Sequence, residues 1–244
     1  MPVQMSQTTA GIEPDPIAQR VAELGPWYTG FTLNGKCYGG PEYFAERDTR
    51  VWPLIRRLKA APPPPTSILE CGCFEGGHTT LLAREFPEAR IRAVDVRPDS
   101  LAKARLLAGL RGCRNIEFVQ DDLDVPTVTF DRSYDAIMCI GLLYHLRWPE
   151  RFLESACKAA PLLWMQTHYC LEAEASAAPD RLRGRIHHEP IEHNLSGVRT
   201  ESVWLTLEAM FEVLWKVGYT GIELIGREFT PNGAGPAILL CATR

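Results

Sequence analysis

The sequence lacks any apolar stretch long enough to cross a bilayer. Its longest, Ala136 to Leu143 with Tyr144 attached, falls well short of the roughly 18 apolar residues a spanning helix needs. It has no basic excess: 26 Lys and Arg against 30 Asp and Glu give a formal charge of −4. With no global positive field to draw in a phosphate backbone, a nucleic-acid partner is not expected. No charged-then-apolar leader opens the chain, which points away from export. The eight cysteines form no spaced framework, and several, such as Cys139 between Met138 and Ile140, sit inside apolar stretches. Buried thiols in a reducing cytoplasm are the expectation. Metal signatures are missing too. Cys71-x-Cys73 has no second pair at finger spacing, and His187-His188-Glu189 with Glu192-His193 matches no HExxH frame, so no metal is expected.

What is present is an ordinary globular balance, 45% apolar and 23% charged over 244 residues, which excludes a wholly disordered chain. Met1 to Thr9 shows no apolar period and reads as a tail. A helix is predicted from Asp15 to Leu24, stopped by Gly25-Pro26. A hairpin follows over Trp27 to Gly40, turning at Asn34-Gly35. Val51, Leu54, Ile55 and Leu58 recur at helical spacing, with Asp48 as the expected N-cap. Pro62 to Pro65 form a stiff linker, and the expected boundary there separates a cap (1–64) from a main domain (65–244).

Beyond the prolines, strand and helix patterns alternate. Strands are predicted at 67–70, 91–96, 116–119, 134–140 and 162–166, with helices at 79–86, 99–110 and 150–159. Such alternation means an α/β fold: a doubly wound, mostly parallel sheet with helices on both faces. The stretch 173–201 is polar, holds three of the six histidines and shows no clean period; a substrate loop is expected over about 173–203. Thr206 caps a last helix that stops at Gly218, and strands at 222–224 and 237–241 close the sheet.

In an open parallel sheet, ligands bind outside the carboxyl ends of the strands. The first turn there runs Glu70-Cys71-Gly72-Cys73-Phe74-Glu75-Gly76-Gly77-His78. Against the dinucleotide pattern GxGxxG, Gly72 and Gly77 fit, but Phe74 stands where glycine must let the backbone approach a pyrophosphate. The acid at Glu70 disfavours phosphates as well and suits a cationic amine.

Glu70-x-Gly72-x-Phe74-x-Gly76 resembles the first motif of the class I S-adenosylmethionine-dependent methyltransferases, with Phe74 replacing the middle glycine. The resemblance implies a Rossmann-like domain that binds S-adenosyl-L-methionine, with Cys73 and Gly77 in the same turn. It implies that Asp95, followed by Val96, accepts hydrogen bonds from both ribose hydroxyls, as a two-oxygen carboxylate is able to do. Asp121 or Asp122 would take the adenine amino group, with Leu123 as wall, and Ile140-Gly141 would lie beneath the methionine part. Gly141-Leu142-Leu143-Tyr144-His145-Leu146 with Trp148-Pro149, and the Trp27-Tyr28 hairpin with Gly35, look like the tRNA wobble-uridine methyl- and carboxymethyltransferase-like branch. The segment 201–206 is similar to the one that walls the family's substrate pocket.

Methyl transfer from a sulfonium mainly requires holding the acceptor in line at about 3–3.5 Å and excluding water. A hydroxyl or amine acceptor also needs a base. His145, after the fourth strand of the main domain, is the first candidate, and His168 on the same edge is its competitor. Within the cluster Arg47, Arg50, Arg56 and Arg57, Arg50 is the candidate to clamp the cofactor's carboxylate. Trp27, Tyr28, Tyr38, Tyr43 and Trp204 either roof the pocket or join cap to sheet. The expected activity is methyl transfer to an oxygen or nitrogen of a small molecule. The alternatives are a tRNA-modifying enzyme of the wobble-uridine branch and a catalytically silent cofactor-binding regulator.

Overall fold

A computed structural model describes residues 15–41, 43–177, 182–192, 195–229 and 235–244. The tail Met1 to Thr9 and His193 lie outside the described residues. The elements follow in order α1 (Pro16–Glu23), β1 (Gly30–Leu33), β2 (Lys36–Gly39), α2 (Trp52–Ala60), β3 (Ser67–Cys71), α3 (Gly77–Glu85), β4 (Arg90–Asp95), α4 (Pro98–Leu110) and β5 (Ile116–Gln120). Then come β6 (Ala136–Ile140), α5 (Pro149–Ala159), β7 (Leu162–His168), β8 (Ser176–Ala177), β9 (Arg183–His188), β10 (Glu201–Leu205), α6 (Leu207–Val217), β11 (Gly221–Phe229) and β12 (Pro236–Thr243).

Seven strands form the central sheet in the order β11-β12-β7-β6-β3-β4-β5. β3 to β7 are parallel where they pair, and β12 runs antiparallel to both its neighbours. Period-2 burial splits the core in two. Ile68, Ile91, Met138 and Trp164 pack with Leu54, Ile55 and Leu58 of α2 and Leu81 and Leu82 of α3. Their strand neighbours Leu69, Val94, Ile137, Cys139, Leu163 and Met165 face α5 and α6 instead. The strand order reverses between β3 and β6, which opens a crevice at their carboxyl ends.

Local chemistry explains the ends of several elements. Asp15 caps α1 by accepting from the Ile17 and Ala18 amides (2.9 and 3.1 Å). Asn34 and Gly35 both take positive φ, 49° and 78°, as a type I′ turn demands. Thr206 caps α6 through the Ala209 amide, and Gly218 ends it in the left-handed region.

Two expectations need correction. Asp48 does not cap α2: Val51 holds that position without a side-chain cap, and the Asp48 carboxylate is used in the crevice instead. The stretch 173–203 is also more than a loop, for β8, β9 and β10 form a small antiparallel sheet in the order β10-β9-β8. β9 reads Arg-Gly-Arg-Ile-His-His, with one apolar residue in six, so it carries no period of its own. Its partner β10 supplies the burial through Val203 and Leu205.

Candidate functional site

The turn from β3 to α3 is tied to the end of β4. The Gly72 and Cys73 amides donate to the Val94 carbonyl (2.9 Å each), and the Phe74 amide donates to Asp95 Oδ2 (2.8 Å). Phe74 itself stands at φ 50°, a left-handed conformation that costs an L residue about 1–2 kcal/mol. The turn thus keeps its path, with a strained phenylalanine in place of a glycine. Gly76 is required by packing: a Cβ there would come within 2.8 Å of the Ala104 Cβ on α4.

Above this turn lies a cleft of about 310 Å³. Gly72, Cys73, Phe74, Gly77, Asp95, Val96, Ile140, Gly141, Arg50 and His145 all line it. Tyr28, Tyr43 and Tyr144 roof it, with Tyr28 edge-on to Phe74 at 6.0 Å. A narrower extension of about 60 Å³ continues past Asp95 to Asp121, Asp122 and Leu123.

The acids around the cleft differ sharply. Asp95 accepts the Arg97 amide on Oδ1 (2.9 Å) besides that of Phe74, yet burial outweighs these bonds and raises its pKa. Asp121 is saturated by the amides of Thr127, Val128 and Thr129 and by both threonine hydroxyls. Burial opposes ionisation there, but those bonds lower its pKa on balance. Asp122 keeps more of its carboxylate available, holding Arg199 Nη2 (2.6 Å) on one oxygen. Glu70 is absent from the cleft wall. It lies 2% exposed beneath the turn, with the Thr79 hydroxyl donating to it (2.5 Å), and burial pushes its pKa up to about 8.

At the opposite end of the cleft, Asp48 gathers three side chains. Arg50 donates to it through Nε and Nη2 (2.9 and 2.7 Å), Tyr43 through its hydroxyl (2.9 Å), and His78 Nε2 lies 2.9 Å away. Burial alone would raise the Asp48 pKa, but the His78 and Arg50 bonds hold it far below the carboxylate range. Glu75 joins the first hairpin to the turn by accepting the Tyr28 and Thr29 amides (3.0 and 2.6 Å) and pairing with buried Lys103 (2.8 Å).

His145 Nδ1 lies 2.8 Å from Glu189, which also accepts the Gly197 amide (2.8 Å) and the Ser202 hydroxyl (3.1 Å). No described residue bonds its Nε2. His168 does not line the cleft; its ring meets Tyr144 edge-on (4.6 Å) and stacks on Trp204 (5.1 Å). Its Nδ1 donates to the Pro236 carbonyl (3.3 Å), and burial lowers its pKa, so it is neutral at physiological pH. Leu195, Ser196 and Gly197 also line the cleft. Arg97 Nη2 donates to the carbonyls of Ile191, Ser196 and Gly197, and Arg199 bridges Asp122 and Asp124.

A family model described as "Methyltransferase domain" matches residues 68–160, the strands and turns that build this cleft. The N-terminal domain of EvdMO1, crystallised in the presence of SAH and D-fucose, superposes with a TM-score of 0.80 at 26% identity, over 93% of this chain and 95% of that one. Residues 68–160 thus form a methyltransferase domain, and the fold around it is that of the class I S-adenosylmethionine-dependent methyltransferases. The cofactor of this methyltransferase is S-adenosyl-L-methionine, and the turn, the carboxylate at Asp95 and the open extension toward Asp122 fit such a nucleoside. Trans-aconitate 2-methyltransferase of Streptomyces avermitilis is 35% identical over 101 residues, 40% of this chain and 37% of that protein. The chain therefore spans well under half the length of this curated relative. A probable tRNA methyltransferase 9B of Bos taurus is 25% identical over 121 residues, 50% of this chain and 24% of that protein, a weak hint of the tRNA branch.

Sequence reading of this methyltransferase missed Asp48, Glu75, His78, Arg97, Glu189 and Arg199. Two had a signal. His78 directly follows the glycine-rich turn, and Glu189 stood in the run weighed only as a metal site. Arg199 had none, since its partner Asp122 is 77 residues away.

Proposed function

We propose that this chain transfers the methyl group of S-adenosyl-L-methionine to a hydroxyl oxygen of a small, oxygen-rich molecule, with His145 as the base. The observation that carries this reading is the His145–Glu189 pair inside the cleft. The carboxylate holds the Nδ1 side of the ring, which leaves Nε2 to take a proton. A carboxylate acceptor would need no base, so the pair favours an acceptor that must lose a proton. The similarity to the EvdMO1 domain, crystallised in the presence of D-fucose, supports a sugar-like hydroxyl.

The cofactor supplies an activated methyl group, and the protein's part is to bind, orient and keep water out. In this reading Asp95 accepts from the ribose hydroxyls. Asp122, rather than saturated Asp121, meets the adenine amino group. Arg50, steadied by Asp48, faces the carboxylate of the methionine part. Among the described residues no helix is long and apolar enough to cross a membrane. The eight unpaired thiols support a cytoplasmic location.

The test is transfer of labelled methyl from the cofactor to D-fucose and to a metabolite extract. Label should enter an acceptor as a mass gain of one methylene. His145→Ala should slow turnover while leaving SAH affinity intact. Absence of any labelled product would refute the activity, and an unchanged rate in His145→Ala at every pH would remove the base. Gel shift with bulk tRNA at low and raised salt checks the RNA alternative, since backbone binding weakens steeply as salt rises.

A further inference from the structure

A second chamber, of about 240 Å³, lies beside the cofactor cleft, between the start of α2 and the strands β7, β11 and β12. Its volume equals that of roughly eight waters at liquid density. Arg50 lines both spaces, so the two meet at its guanidinium. Thr49, Gln166, Gly226 and Arg227 line the chamber too, the arginine donating through Nη2 to the Tyr169 hydroxyl (2.8 Å), and Pro53, Ile225 and Leu239 give it an apolar side. No aspartate or glutamate lines it.

Gln166 is its distinctive group. It is 5% exposed, and its Oε1 accepts from Arg50 Nη1 (3.2 Å), which fixes how the amide is turned. Nε2 is left as a donor that no described residue accepts. That donor is open to the chamber, and a direct bond to an oxygen arriving there is worth about 0.5–1.5 kcal/mol net. Arg50 is held at two points by Asp48 and, in the reading above, also faces the cofactor's carboxylate, so its charge calls for no further anion in the chamber. An irregularity in the β11–β12 register between Leu224 and Gly226 leaves open space at Gly226, where an added Cβ would meet nothing within 4 Å.

We infer that this chamber holds the non-reacting part of the acceptor, a neutral, monosaccharide-sized molecule with oxygens on one edge and C–H groups on the other. Gln166 Nε2 selects it by donating to one of those oxygens. The inference rests on the methyl-transfer reading, but its test reads binding alone.

The experiment is calorimetric titration of D-fucose into the SAH-saturated protein, for the natural chain, Gln166→Leu and Gly226→Phe. Gln166→Leu keeps the bulk and removes the donor. Gly226→Phe fills the open space at a backbone conformation that L residues accept. D-fucose should bind the natural chain, weaken about three- to tenfold in Gln166→Leu and at least about tenfold in Gly226→Phe, with SAH affinity unchanged in both. If Gly226→Phe does not fold, Gln166→Leu carries the test. Equal D-fucose affinity in the folded variants, or no binding to the SAH-loaded natural chain, overturns the chamber. Failure of the natural chain to bind SAH overturns the methyl-transfer reading itself, and the chamber with it.

Discussion

Replacing Glu70 with glutamine should make the protein less sensitive to alkali. In the unfolded chain this carboxyl titrates near its ordinary value of 4.5; in the fold, burial raises that to about 8, with the neighbouring Asp95 adding to the rise and the Thr79 bond opposing it. Between those two values the folded state holds a proton that the unfolded state has released. The associated stability is therefore fully present below pH 4.5 and is lost as pH rises through about 8. At 1.36 kcal/mol for each pH unit, the gap corresponds to about 5 kcal/mol at most. Glutamine keeps the shape and still accepts the Thr79 hydroxyl, but does not titrate. Urea unfolding of both proteins across this range gives the difference in stability at each pH. That difference should grow in favour of Glu70→Gln by up to about 1.4 kcal/mol per pH unit, levelling off above about pH 8. Parallel stability curves would show that Glu70 is ionised in the fold and that the reasoning from burial is wrong.

Asp95→Ala should abolish SAH binding in calorimetry, and unchanged affinity would remove Asp95 from the ribose contact. Glu75→Gln takes the counter-charge from the buried Lys103 ammonium, which keeps the Pro26 carbonyl, and loosens the first hairpin; urea unfolding should show a loss of about 3 kcal/mol or more, and a loss below about 1 kcal/mol would contradict the role of this pair. Glu189→Gln should slow methyl transfer, and the double variant with His145→Ala should be no slower than His145→Ala alone; additive losses would mean that Glu189 does not act through His145.

The strands and helices were legible because each carries its signal locally. Ile68-Leu69 and Ile137 to Ile140 read as buried strands from their apolar runs, and Thr206 and Gly218 mark the ends of α6 by cap chemistry alone. The turn at Gly72 to Gly77 and the acid at Asp95 were legible for the same reason. What stayed hidden depends on partners far along the chain. Glu75 accepts amides 46 and 47 residues earlier, and nothing around it distinguishes it from a surface glutamate. Asp121 and Asp122 are the same residue type side by side and both line the cleft extension, yet the 127–129 turn saturates the first while, among the described residues, the second holds only Arg199 and the Asp124 amide. β9 has no period because its burial comes from β10.

Those distant partners also determine how the site is closed. The 189–201 segment has three main ties to the cleft: Arg97 to its carbonyls, Glu189 to His145, and Arg199 to Asp122 and Asp124. The last tie ends on an acid assigned to adenine. Asp122 Oδ2 holds Arg199, while Oδ1 accepts the Asp124 amide at 3.0 Å. An adenine amino group arriving at Asp122 must share one of those oxygens. Asp124, buried and holding Arg199 Nε at 2.8 Å, keeps the guanidinium in place if Asp122 loosens its hold. On the proposed assignment of Asp122 to adenine, paired acids at this corner would let one carboxylate turn to the cofactor while the other still holds Arg199.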